Sequence, residues 1–502
     1  MADAVAGKVT PPEEQQLKKG VLTTWDALAL SIAVIAPAMA ASYNTSGSAA
    51  VSGGSTPLCF LIAGLSSLAL AYVVIQFTRR MASAGYAYTY TTKSLGPTVG
   101  FIIGWLYTFG FALFVPMTMA GASYYLGVLL NSLFGWNIHW FIFFIIGMVG
   151  IFLLSYYDIR ISTRSQLVFG ALSVLVLAAL AVIIIARGGG YGNDLSAFGW
   201  SHTIGKNGAF YGIAYGIIFA VVSFIGFETS AVLGEETNNP RRAIPTSIVG
   251  AVIFAVIFYL LMTYAISIGF GVNNGTTWAQ NPTPLHTLSK TFAPGLTVLA
   301  DLAAIISAYI VCLACHNATI RVMFAMGRDG ALPRFLGRTH PVHKTPVGAI
   351  VVNIVLATIL AIVVGFPVVP QLGLSGGPTG PTVVYFFLGG TGGIAVSVVY
   401  VVLAISGIVY FRREMGREYS ALKHLVVPLI AIVAYALGIY GSIYPGSAPS
   451  APYSFMGLLT ATWIVIGIGV VFYLRTKSPE LVGRLGQALG EEGGSEAEAG
   501  LA

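Results

Sequence analysis

Long apolar stretches recur from one end of this chain to the other, each about the 20 residues that an α-helix needs to cross a bilayer. Twelve such spans are placed, at about 24–52, 56–79, 97–129, 138–157, 165–186, 210–234, 246–271, 294–326, 346–366, 382–411, 424–444 and 454–474. Of the 502 residues, 56% are hydrophobic and only 9% charged, where soluble domains run at about 25% charged. The sequence predicts an all-α polytopic membrane protein whose mass lies almost entirely in the bilayer.

Charge then orders the spans. The net charge is +7, but the basic residues sit in short loops, where they set topology and do not imply nucleic-acid binding. With both termini cytoplasmic, 22 of the 25 Lys and Arg fall inside, and only Arg187, Lys206 and Lys290 fall outside. One missed span would scramble that bias. Residues 1–20 read as a cytoplasmic tail, 21–477 as the membrane domain, and 478–502 as an acidic cytoplasmic tail too poor in apolar surface to fold. The N-terminal segment lacks the pattern of a cleavable signal peptide. Cys59, Cys312 and Cys315 fall within spans, so no disulfide framework or metal pair is expected.

Two spans are irregular. The sixth carries Ser223-Phe224-Ile225-Gly226-Phe227-Glu228 near its middle. A helix-weakening glycine stands there beside an ionisable side chain, which is costly in lipid and marks a candidate functional site. The first span carries Ile35-Ala36-Pro37-Ala38. Its proline removes a backbone donor and clashes with the preceding turn. Paired interruptions at matching depth point to the ligand site of an inverted-repeat carrier. Spans one to five (about 24–186) and six to ten (about 210–411) form the halves, with two further helices at about 424–474.

Three blocks carry a family resemblance. They are Ser223–Glu228 continued by Glu235-Glu236-Thr-Asn-Asn-Pro240-Arg241-Arg242-Ala-Ile-Pro245; Arg321 through Arg328-Asp329-Gly330 to Pro333 and Pro346; and Ser83-Ala-Gly85-Tyr86-Ala-Tyr88 with Leu95-Gly-Pro97. In order and spacing they resemble the amino acid–polyamine–organocation (APC) transporter superfamily over about residues 18–475. The resemblance implies a LeuT-type five-plus-five inverted repeat, alternating access at the cell membrane, and a small amine or amino acid as substrate. It implies no catalytic residue, metal or cofactor. Where many members carry Gly-x-Gly at the first break, this chain has Ile35-Ala36-Pro37-Ala38, and Pro37 offers no N–H. A carboxylate-free amine therefore stands open beside an amino acid.

The expected substrate-binding set is Ile35, Ala36, Pro37 and Ala38 at the first break; Ser223, Phe224, Ile225, Gly226 and Phe227 at the second; Tyr107 and Phe111 on span three; and Cys315, His316 and Asn317 on span eight. Glu228, Glu235, Glu236, Arg241, Arg328 and Asp329 are candidates for coupling and gating. Glu228 and His316 are the groups able to carry a proton within the spans, so proton-coupled uptake is the expected mode. Sodium symport, which would need first-span carbonyls plus Ser or Thr on span eight, is the alternative, although Val311–Cys315 holds no hydroxyl and Ser307 and Thr319 only flank it. A polyamine or amino-alcohol permease and exchange are others. A channel would want repeated filter segments, an enzyme clustered polar ligands, and a sensor an output domain.

Overall fold

A computed structural model describes residues 23–81, 86–157, 163–233, 240–328, 332–343, 345–366, 380–444 and 451–477. Among these the regular elements are all helical. The chain forms α1 (Thr24–Ile35), α2 (Pro37–Met39), a π turn (Ala40–Asn44), α3 (Thr45–Ser52), α4 (Thr56–Thr78), α5 (Tyr86–Leu95), α6 (Pro97–Phe134), α7 (Trp140–Tyr156) and α8 (Thr163–Ala186). It continues through α9 (Ala209–Phe224), a 3-10 segment (Phe227–Leu233), α10 (Pro240–Phe270), α11 (Gly275–Ala279), α12 (Pro284–Phe292), α13 (Thr297–Arg328), α14 (Val347–Gly365), α15 (Pro381–Glu414), α16 (Val427–Ile443) and α17 (Met456–Lys477).

Ten helical stretches among the described residues are long and apolar enough to cross a membrane, and α7 is a shorter apolar helix. The longest stretch, Pro37–Thr78, holds two of the expected spans, because the chain folds back at Gly53, where φ is 55° and ψ −134°. Side-chain packing proves the reversal. Gly47 lies on Phe219, Ser48 on Gly216 and Val51 on Gly212, so α3 runs antiparallel to α9. Cys59 reaches the carbonyl of Ile213 and Gly64 lies against Phe224, so α4 runs parallel to α9. The protein is a multi-pass membrane protein.

The packing also displays the inverted repeat. α1 packs on α10 as α9 packs on α4; α6 packs on α15 as α13 packs on α8; and α6 packs on α7 as α13 packs on α14. Exchanging the first five spans for the second five maps each of these pairs onto its counterpart. The lead helix of each half is broken. α1 stops at Ile35, Ala36 turns left-handed at φ 52° and ψ 58°, and Pro37 starts α2. Proline suits that position because a first-turn amide has no intrahelical acceptor. In the other half, α9 stops at Phe224, Ile225 is extended (φ −58°, ψ 133°), and Gly226 takes φ 110°.

Segments between the spans are partly helical. The stretch 272–293 contains α11 and α12, and α5 separates the second and third spans. Pro284 opens α12 at a first-turn position, and the helix buries Leu285, Leu288 and Phe292. It is too short for a hydropathy scan built for spans. The tails 1–20 and 478–502 lie outside the described residues.

Candidate functional site

The two breaks meet around the hydroxyl of Tyr259, on α10. It lies 3.1 Å from the carbonyl oxygen of Ile35 and 2.9 Å from that of Ser223. Both carbonyls are freed where a helix ends without a following turn. A phenol carries one proton, so one donor serves two acceptors.

Four of the amides at the breaks are engaged by other partners. Gly226 N–H donates to Oε2 of Glu228 at 3.0 Å, and Ile225 N–H to the carbonyl of Val222 at 3.4 Å. Ser230 N–H donates to Oγ of Ser31 and Met39 N–H to Oγ of Ser307, each at 3.3 Å.

Between the breaks lies a cavity of about 40 Å³, room for a few waters in this closed arrangement. Ile35, Ala36 and Met39 line it from the first span, and Val222 and Ile225 from the sixth. Phe111, Phe114, Met117 and Thr118 of α6, Val311 and Cys315 of α13, and Tyr385 of α15 complete the wall, with Ala40 and Asn44 at the two ends of the π turn. Among the described residues, no Lys, Arg, Asp, Glu or His lines it.

Toward α3 the cavity is closed by aromatic rings and an ordered hydrogen-bond chain. Tyr43 and Tyr385 stack with ring centroids 4.4 Å apart, and Tyr125 meets Tyr43 edge-on at 5.1 Å. Tyr385 O–H donates to Oδ1 of Asn44 at 2.7 Å, Asn44 Nδ2 donates to Ser223 Oγ at 3.0 Å, and Ser223 O–H donates to the carbonyl of Phe219 at 3.0 Å. The terminal carbonyl can only accept, which fixes the direction of the whole chain and the orientation of the Asn44 amide.

Toward α1 stands Glu228, fully buried. Its Oε1 accepts from Tyr400 at 2.8 Å and from Tyr107 at 3.3 Å, while Oε2 holds the Gly226 amide. Among the described residues no Lys or Arg pairs with it. Three donors and no cation surround this carboxylate.

Five of the residues expected to bind substrate line the cavity: Ile35, Ala36, Phe111, Ile225 and Cys315. The others stand elsewhere. Pro37 and Ala38 are buried at the start of α2. Ser223 works through Asn44, and Gly226 through Glu228. Phe224 turns to the opposite side of α9, against Gly64 and the ring of Tyr259. Phe227 packs near Tyr400, and Tyr107 joins the Glu228 cluster with its ring 4.4 Å from Phe111. His316 points away from the cavity, where its Nδ1 accepts from Asn353 Nδ2 at 2.8 Å. Its neighbour Asn317, half-buried, is not part of the wall. Glu235, Glu236 and Asp329 lie outside the described residues; Arg241 falls in the first turn of α10 and Arg328 at the end of α13.

Asn44, Tyr259, Tyr385 and Tyr400 did not stand out in the sequence. Their polar groups sit in apolar spans and must find partners there. That requirement was readable, but which partner each finds was not.

The chain belongs to the amino acid permease family, whose model matches residues 22–470. Its relatives are permeases and transporters, not enzymes. The low-affinity putrescine importer PlaP of Escherichia coli K12 is 29% identical over 327 residues, covering 62% of this chain and 66% of that one. The chain thus matches just under two thirds of that importer's length. The branched-chain amino acid permease BcaP of Lactococcus lactis is 24% identical over 479 residues, covering 90% of this chain and 94% of the relative. A solved structure, that of a mutant of the Eremococcus coleocola manganese transporter, superposes with a TM-score of 0.57 at 14% identity, covering 95% of this chain and 98% of the other. That likeness concerns the fold alone.

Proposed function

We propose that this protein is a secondary active transporter that carries an amino acid or a small amine across the cell membrane by alternating access. The observation that supports this reading most is the cavity at the junction of the two broken helices, shut toward α3 by Tyr43 and Tyr385 and bordered toward α1 by the Glu228 cluster. A site with main-chain groups at mid-span and a barrier on each side is what alternating access requires. The named substrates of relatives, putrescine and branched-chain amino acids, belong to the same chemical range.

Coupling is assigned to protons, with Glu228 as the carrier and both termini cytoplasmic. Glu228 is buried, touches the second break, and has no cation partner among the described residues. His316 is tied to Asn353 away from the cavity and is set aside. Reconstituted protein should show saturable uptake and counterflow of a labelled amine or amino acid, driven by an inward proton gradient and indifferent to sodium. Uptake that follows a sodium gradient and ignores pH would overturn the coupling assignment. Current without counterflow would overturn the transporter reading.

A further inference from the structure

We infer that the cavity selects a carboxylate-free amine over the parent amino acid; this rests on the transporter reading above and names the substrate class of the same site.

A carboxylate needs hydrogen-bond donors, and an ammonium needs acceptors. At the first break Pro37 has no amide, Met39 N–H is held by Ser307, and Ala40 N–H bonds back to Ala36. Ala38 does not line the cavity. Ala36, left-handed between α1 and α2, brings a single amide to the wall. At the second break the amides of Ile225 and Gly226 are taken by Val222 and Glu228. No positively charged side chain lines the wall.

Hydroxyl protons are committed as well. Thr118 donates to its own helix at Phe114, and Tyr385 donates to Asn44. Each leaves oxygen lone pairs free and no proton. The remaining donors at the wall are the amide of Ala36, the second Nδ2 hydrogen of Asn44 and the weak S–H of Cys315. On the acceptor side, the carbonyls of Ile35 and Ser223 share the single proton of Tyr259. They stand at the C-terminal ends of α1 and α9, the negative ends of the helix dipoles. Of the two residues Ile35 lines the cavity, and an ammonium there brings protons to its under-supplied carbonyl. Glu228 stands one side chain beyond the wall, through Tyr107 and Phe111.

Matched pairs that differ only by the carboxylate test this: putrescine with ornithine, cadaverine with lysine, and 3-methylbutylamine with leucine. Binding is read as the ligand-induced shift in thermal unfolding of the full chain, and transport as inhibition of labelled-amine counterflow. The amine of at least one pair should bind about tenfold or more tighter than its parent, the scale of one unmatched buried charge. In Ser307→Ala, which frees the Met39 amide, that preference should narrow. If every parent amino acid that binds does so as well as its amine in the wild type, the substrate class is overturned while the transporter reading stands. If no member of any pair binds or is carried, both fall together.

Discussion

Tyr400 O–H donates to Oε1 of Glu228 at 2.8 Å across the gap between α15 and the second break. The contact joins the last helix of the second half to the irregular backbone of its first helix. It makes the state of one carboxylate a property of the whole bundle.

Replacing Glu228 by Gln removes the charge and turns one acceptor into a donor facing groups that already donate. Uptake should fall about tenfold or more, and its dependence on external pH should flatten. A fluorescence-monitored gel-filtration profile like that of the wild type shows that the fold persists. Wild-type kinetics with wild-type pH dependence would retire Glu228 as the proton carrier.

Tyr400→Phe removes one charge-assisted bond and leaves the cavity shape unchanged. Such a bond contributes about 1.5–3 kcal/mol. The variant should unfold at lower temperature, and its uptake-pH profile should shift along the pH axis, which a purely structural loss would not produce.

Tyr259→Phe leaves the carbonyls of Ile35 and Ser223 without their shared donor, deep in the protein. The expected cost is about 1–3 kcal/mol, read as a lower melting temperature in detergent. A bound amine should restore more of that stability than it adds to the wild type, because it supplies the missing protons.

Gly226 has φ 110°, a region that residues with a Cβ avoid. Gly226→Ala should cost about 1–3 kcal/mol and abolish uptake. A neutral outcome in both would mean that the second break is not needed in this form.

Asn44→Ala cuts the chain from Tyr385 to Ser223 and loosens the barrier toward α3. Cys315 lies in the cavity wall just beyond that barrier. Small thiol reagents should label Cys315 faster in the variant than in the wild type, with mass spectrometry separating it from the buried Cys59 and Cys312.

Much of the fold was legible because lipid imposes one rule, a run of apolar residues for each crossing. Pro37 and Gly226 betray both breaks because each disrupts a helix by its own covalent structure. The site was legible only in part. Tyr259 and Ile35 lie 224 positions apart, and Tyr385 and Asn44 lie 341 apart; no local pattern records such pairs. His316 illustrates the reverse failure: its position on α13 gave no clue that it faces Asn353. Nor does any local pattern pair His286 with Asp301, which meet in a buried contact at 2.7 Å.

The most direct test is a structure of the protein determined with a bound amine. The nitrogen is predicted between the two breaks, within about 3 Å of the carbonyl oxygen of Ile35 or Ser223, with the Tyr43–Tyr385 stack on one side and the Glu228 cluster on the other. An amine bound elsewhere, with Tyr259 still holding both carbonyls and the space between Ile35 and Ile225 empty, would contradict the account.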